Sequence, residues 1–188
     1  KNADILQIPI RVFESQIFSA VEHVEDSPCY LCARMRRGHL YHFAQQLGCN
    51  KIALGHHFDD VIETTMMSIL YSGQMKSMMP KLHSTNFPGM ELIRPMYLIK
   101  EADIVAWKNY NDLEFIQCAC RFTENLAIQD PNTSSKRKEM KELIDGFRQI
   151  SPFIDSNIFR ASHNVKLDTM VGWEYKGKKH SFLENYAD

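Results

Sequence analysis

The chain has 188 residues, 44% of them hydrophobic and 24% charged, proportions of an ordinary globular protein that exclude a disordered chain or a fibre. A formal net charge of −1 at pH 7 excludes a uniformly basic nucleic-acid coat but leaves room for a local basic patch. Five cysteines with no framework of paired spacings argue against a disulfide scaffold, and no apolar run approaches the ~20 residues of a bilayer span, so the chain reads as cytoplasmic with no membrane partner.

In chain order, Ile8 to Phe13 alternate apolar and polar residues and predict a short strand with Pro9 at its boundary. Ile17 to Val24 read as a short helix broken at Asp26-Ser27-Pro28. Leu40, Phe43, Ala44 and Leu47 fall at helical spacing and predict a helix over Ala33–Leu47 with Gly48 as its C-terminal cap. Lys51 to Leu54 then give a buried-strand signal, Gly55 a turn, and Val61, Ile62, Thr65, Met66, Ile69 and Leu70 the apolar face of a second helix. Helix, strand, helix at these lengths is the rhythm of a parallel α/β sheet. Gly73 to Gly89 show no period and predict a long loop; Glu91 to Met96 predict a strand, Lys100 to Tyr110 a helix and Phe115-Ile116 a further strand. Beyond these, Met140, Leu143, Ile144 and Phe147 mark an amphipathic helix over Ser134–Ile150, Ser151-Pro152 open another, and Trp173, Tyr175 and Lys176-Gly177-Lys178-Lys179 suit a hairpin. The expected division is a domain over 1–130 and a helical extension with a tail over 131–188.

Cys29-Tyr30-Leu31-Cys32 place two thiols three residues apart just before the predicted helix, and helix N-termini favour the thiolate, which ligates metals and attacks electrophiles. Cys118-Ala119-Cys120 follow the Phe115-Ile116 strand. A four-thiolate zinc site, an iron–sulfur cluster on Cys29, Cys32 and one thiol of the second pair, and buried structural cysteines all fit this pattern. Gly55-His56-His57-Phe58-Asp59-Asp60 bridge a strand to a helix, where α/β sheets bind ligands, helix N-termini favour anions and carboxylates can hold a magnesium–phosphate complex. Capping aspartates and solvated histidines are the competing account. Arg34, Arg36 and Arg37 form either a solvated face or part of a phosphate-binding patch with Lys76, Lys81, Arg94 and Lys100. Lys136-Arg137-Lys138, alternating with Glu139 and Glu142, read as a solvated helix face.

Taken together, Cys29 to Gly38, Lys51 to Asp60, Ile93-Arg94-Pro95 and Phe115 to Cys118 closely resemble the tRNA 2-thiocytidine synthetase family, a branch of the PP-loop ATP pyrophosphatases, or adenine nucleotide alpha hydrolases. The resemblance covers about Ile8 to Asn125. It implies an α/β, doubly wound, Rossmann-like parallel sheet that binds ATP, adenylates a cytidine of tRNA and replaces its oxygen with sulfur, releasing AMP and pyrophosphate. It also implies a [4Fe–4S] cluster on Cys29, Cys32 and Cys118, with Cys120 as the fallback ligand and one iron left open for sulfur. Asp59 joins those cysteines as a catalytic candidate; Gly55, His56, His57, Asp59 and Asp60 are the ATP and Mg2+ candidates; Arg36, Arg37, Lys76 and Lys81 are the tRNA-contact candidates. A sulfur donor (a cysteine desulfurase or sulfide) and a homodimer are expected on the same ground. The family's Ser-Gly-Gly-x-Asp-Ser nucleotide loop is absent from these 188 residues, so the chain reads as an N-terminally truncated fragment, inactive alone. A zinc-stapled structural or RNA-binding module and a PP-loop enzyme acting on another acceptor are the alternatives.

Overall fold

The computed structural model describes residues 1–21, 24, 28–115 and 136–186, with Pro28, Cys29 and Asn185 described by their backbone alone. Its elements are α1 (Asn2–Ile5), α2 (Ile17–Val21), α3 (Pro28–Gln46), β1 (Lys51–Ala53), α4 (Phe58–Ser72), β2 (Lys81–His83), β3 (Glu91–Ile93), α5 (Glu101–Tyr110), α6 (Lys136–Ile150), α7 (Ile154–Ala161), β4 (Gly172–Tyr175) and β5 (Lys178–Ser181). The three-stranded sheet has the order β1-β3-β2. β1 pairs parallel to β3, Lys51 opposite Glu91 through Ala53 opposite Ile93, while β2 runs antiparallel on the far side of β3. The α/β class holds, and the sheet is mixed; an antiparallel edge on an otherwise parallel sheet is common in doubly wound folds.

The parallel pair β1 and β3 and the helices α3, α4, α5 and α6 fall where the apolar patterns put them. Gly48 adopts φ 72° at the end of α3 and lets the Cys49 N–H reach back to the Ala44 carbonyl at 2.8 Å, a left-handed close that a side chain would strain. Other elements differ. Ile8–Phe13 are extended but pair with no strand among the described residues; Ile8, Ile10 and Val12 are exposed, and only Phe13 finds a partner, stacking on Phe43 with ring centres 4.1 Å apart. Alternation makes a strand only where a neighbour supplies the ladder.

Helix α3 starts at Pro28, five residues before the predicted Ala33. A proline in the first helical turn loses nothing, because its missing N–H would have no intrahelical partner and its φ is already helical. Pro28 therefore opens the helix. Cys29 and Cys32 lie inside its first turns rather than ahead of it. Strand β2 lies within the stretch expected to be loop: Lys81-Leu82-His83 offer one apolar residue between two charged or polar ones, too little for a periodic signal, yet β3 supplies the partner edge. Phe115 belongs to no strand, and Ile116 with Cys118 and Cys120 lies outside the described residues.

The core joins the first and last thirds of the chain. Ile62 of α4 and Ile144 of α6 are 0% and 1% exposed and cluster with Phe58, packed against by Met66, Ile158 and Phe159. Phe159 of α7 lies 4.9 Å from the Phe58 ring and 5.6 Å from Tyr97. Helices α6 and α7 are thus mounted on α4, the helix that leads out of the Gly55–Asp60 loop.

Truncating Ile144 to Ala leaves a cavity under that loop's helix. It is expected to cost about 2–5 kcal/mol, read as a fall in the urea midpoint; a loss below about 1 kcal/mol would mean that α6 does not hold α4.

Candidate functional site

Because β1 and β3 are parallel, Ala53 and Ile93 end at one edge of the sheet. Just beyond, the Leu54 N–H donates to the Ile93 carbonyl at 2.9 Å, and the Phe58 N–H donates to the Ile99 carbonyl at 2.9 Å. These two bonds pin both ends of Gly55-His56-His57 over the carboxyl end of the strands, where open α/β sheets bind ligands. Arg94 enters from the end of β3, and its guanidinium donates to the Met79 carbonyl; the Tyr97 hydroxyl donates to the Met78 carbonyl at 2.9 Å. A Cβ at Gly55 would meet only Met96 Cε at 3.6 Å, an ordinary contact. Packing within the chain does not demand that glycine.

Among the described residues, three buried polar atoms in this region lack a hydrogen-bond partner: His56 Nδ1, His57 Nδ1 and Arg94 Nε. Leaving such a group unpaired costs about 1–3 kcal/mol, and native structures leave few without a reason. Burial pushes the His56 pKa down; Asp60 opposes this, and Arg94, Arg137 and His57 reinforce it. Burial likewise lowers Arg94, against Tyr97 and with Arg37 of α3 adding a like charge. The edge offers unpaired ring nitrogens of His56 and His57 beside the Arg94 guanidinium and its unpaired Nε–H, groups able to meet a phosphate.

The two aspartates do something else in this structure. Asp59 is 7% exposed; one oxygen accepts the Glu101 N–H at the start of α5 at 2.7 Å and the other accepts from Arg148 of α6 at 2.6 Å. Burial alone would raise its pKa, but the Glu101 amide and the Arg148 guanidinium outweigh it and hold the carboxyl below its ordinary range. Asp60 caps α4 by accepting the His57 N–H at 3.0 Å, and its other oxygen takes Arg137 at 2.5 Å. Arg137 also reaches Glu63 at 3.0 Å, and Lys141 reaches Glu101 at 2.5 Å. The side chains of His57 and Asp60 approach only to 3.5 Å, too far for a hydrogen bond. Both carboxylates are spent on tying α6 and α5 to α4.

Arg137, taken from sequence as part of a solvated face, and Arg148, unremarked there, are thus site-supporting residues. The available signal was their register: 137, 141 and 148 lie on one side of a helix, with Met140 and Ile144 buried beside them. Of the other candidates, Cys29 and Cys32 share the first turns of α3, and the Cys32 side chain is partly buried and free. Arg36 and Arg37 are exposed farther along the same helix, and only Arg37 is within electrostatic reach of Arg94. Lys81 is exposed on β2 opposite Ile93, and Lys76 is exposed in the loop after α4. Cys118, the expected third cluster ligand, lies outside the described residues. Among the described residues no group of three or more His, Cys, Asp or Glu side chains is arranged to hold a metal ion, and no helix is long and apolar enough to cross a membrane.

A parallel-strand edge carrying an anion-ready loop and a cysteine-bearing helix defines an α/β ligand-binding domain. A PP-loop domain model matches residues 3–123, and the chain belongs to that family. It is 36% identical over 174 residues to a tRNA-cytidine(32) 2-sulfurtransferase of Coxiella burnetii, a match covering 91% of this chain and 64% of that one. It is also 35% identical over 179 residues to the protein of that name from Methylobacillus flagellatus, covering 93% and 56%, and 40% identical over 152 residues to the one from Legionella pneumophila, covering 79% and 50%. The chain thus spans about half to under two thirds of these relatives' length. Among solved structures, the U34-tRNA thiolase NcsA from Methanococcus maripaludis, determined with its [4Fe–4S] cluster, shares the fold at a TM-score of 0.58 and 23% identity, over 76% of this chain and 45% of that one.

Replacing Arg148 with Met leaves Asp59 buried with one oxygen unpaired. The expected loss is about 2–3 kcal/mol in chemical denaturation, below the about 3–5 of a fully enclosed pair because 30% of the Arg148 side chain is exposed. Since the folded Asp59 carboxyl lies below its ordinary 3.8, the folded state binds fewer protons. Its contribution is complete above that value and fades as pH falls through the lower folded pKa. Asp59→Asn is therefore expected to flatten the loss of stability as pH falls below about 5; an unchanged acid limb would assign that limb to other carboxyls.

Proposed function

We propose that this chain is the nucleotide- and cysteine-bearing portion of an ATP-dependent tRNA sulfurtransferase acting on a cytidine base. One geometric observation carries the reading: Gly55-His56-His57 is pinned over the carboxyl edge of the β1–β3 pair with Arg94 at the end of β3, while α3, which leads into β1, bears both Cys32 and Arg37. Five residues of helix span about 7.5 Å, and on this reading a centre held at the start of α3 and a nucleotide held over Gly55–His57 serve one reacting atom. The curated relatives, each named a tRNA-cytidine(32) 2-sulfurtransferase, support the same substrate and reaction.

A pyrimidine carbonyl is a poor electrophile, and transfer of the adenylyl group to its oxygen turns that oxygen into a leaving group. On this reading the Arg94 Nε–H, with His56 and His57, binds the nucleotide's phosphates, which arrive with Mg2+. Asp59 and Asp60 hold the loop to α5 and α6, and the catalytic part proposed for Asp59 and the Mg2+ contact proposed for both carboxylates are played from that position. Cys29, Cys32 and Cys118 suit a [4Fe–4S] cluster by donor type, three soft thiolates; bound there, the cluster would supply an open iron for sulfur. Arg36 and Arg37 hold RNA phosphates beside it, with Lys76 and Lys81 farther along the strand edge. Residues 1–130 form the catalytic part and 131–188 its extension, in a cytoplasmic homodimer supplied with sulfur by a cysteine desulfurase or sulfide.

The test is anaerobic purification of the full-length protein with Cys29→Ala and Cys32→Ala variants, followed by nucleoside mass spectrometry on tRNA incubated with ATP and sulfide. The expected outcome is a brown protein that makes thiocytidine, with colour and product both lost in either variant. A colourless protein with one zinc per chain, or unchanged cytidine, would overturn the reading.

A further inference from the structure

The C-terminal hairpin and the segment just after α4 enclose a cleft of about 1000 Å3, lined among others by Met75, Lys76, Leu167, Trp173, Tyr175 and His180. The hairpin is tight: Lys176 and Gly177 take φ 50° and 79°, the two consecutive left-handed residues of a type I′ turn. Trp173 stacks on its cross-strand neighbour His180 with ring centres 5.3 Å apart and planes 10° from parallel, and His180 Nδ1 lies 3.0 Å from Glu184 Oε2. The indole is thereby fixed as a platform before anything binds. Tyr175 is 64% exposed, with Lys176 Nζ 5.3 Å from its ring centre. Lys76 and Glu174 are the charged side chains on the cleft wall itself, and Lys176, Lys178 and Lys179 surround it on the hairpin, Lys178 being the cross-strand partner of Tyr175. Rigid aromatics interleaved with cations are what single-stranded nucleic acid needs: faces for its bases and charge for its backbone.

The cleft is also tied to the strand-edge site. Lys76 stands three residues before Met79, whose carbonyl holds Arg94. Three residues reach at most about 10 Å, so one RNA strand can touch both places.

We infer that this cleft binds an unpaired nucleotide of the RNA substrate next to the one that reacts, with Trp173 and Tyr175 as stacking faces and Lys76 and Lys178 as phosphate contacts. The inference rests on the tRNA reading above. It adds a substrate site on the hairpin that none of the sequence candidates except Lys76 touches.

The experiment measures binding of an unmodified tRNA transcript to full-length protein as a function of salt, for the wild type and for Trp173→Ala, Tyr175→Ala and Lys76→Ala/Lys178→Ala. Each aromatic variant is expected to bind at least fivefold more weakly, and the double lysine variant to reduce the slope of log K against log salt by about 2. Thiolation should show a raised KM for tRNA with kcat retained. Tyr175, being exposed, keeps the test sound if Trp173→Ala unfolds the hairpin. Ultraviolet crosslinking should place an RNA adduct on the 173–175 peptide. If the wild type binds tRNA and the variants bind it equally, this site falls while the thiolation reading stands; if the wild type binds no tRNA, both fall. A crosslink from this peptide to a protein instead of RNA would overturn the assignment.

Discussion

The docking of α6 on α4 is the constraint on which the rest of the structure depends. Arg148 donates to Asp59, Asp145 and Asp155 from three different nitrogens; burial works against its charge, but the three carboxylates outweigh that and raise its pKa further above the ordinary value. Arg137 completes the clamp one helix length away on Asp60 and Glu63. Exposed ion pairs contribute little because water screens them and their side chains lose freedom. These differ in having Asp59 and Glu63 buried, in sharing charges within a network, and in framing the apolar contact of Ile62 with Ile144. Burial raises the Glu63 carboxyl, with Arg137 opposing, so the clamp also holds a charge that would otherwise be unfavourable in that place.

That clamp decides what the strand-edge loop can offer. With Asp59 turned to Arg148 and Asp60 to Arg137 and the His57 amide, their negative charge is partly compensated, although Asp60 still acts on His56 and Arg94. A free pair of aspartates would repel a phosphate; an ion-paired couple at the first turn of α4 opposes one less and leaves the helix N-terminus able to attract it. A segment distant in sequence thus tempers the charge of the proposed nucleotide site.

This is also why the site was only partly legible in the sequence. Local patterns sufficed for β1, α4, α5, α6 and the hairpin, whose periods and turn residues agree with their tertiary surroundings. They failed where partners lie far along the chain. Ile8–Phe13 carry strand chemistry without a neighbouring ladder, whereas Lys81–His83 lack the pattern but lie against β3. Pro28 was ambiguous by nature, since a proline can stop a preceding helix or open a following one, and here it opens α3. The Gly55–Asp60 motif marked the right place at the strand edge, but no spacing rule could reveal that Arg137 and Arg148 would occupy its aspartates. Opposed charge on two amphipathic faces was the remaining trace.

Two connecting elements then account for how one sheet edge could serve a two-part reaction. Helix α3 is a rigid rod that carries its cysteines at one end and Arg37 less than two turns beyond Cys32. The segment after α4 is irregular but anchored, its Met78 and Met79 carbonyls held by Tyr97 and Arg94. In the proposed reaction sulfur delivery and base activation must meet at one atom, and misplacement by about 1 Å can cost a hundredfold in rate. A rod on one side and a fixed loop on the other set the distances, while the extension that carries α6 and the hairpin holds the loop from behind and closes the outer cleft. In the proposed enzyme the C-terminal segment is a positioning frame, and its arginines act through the aspartates they hold.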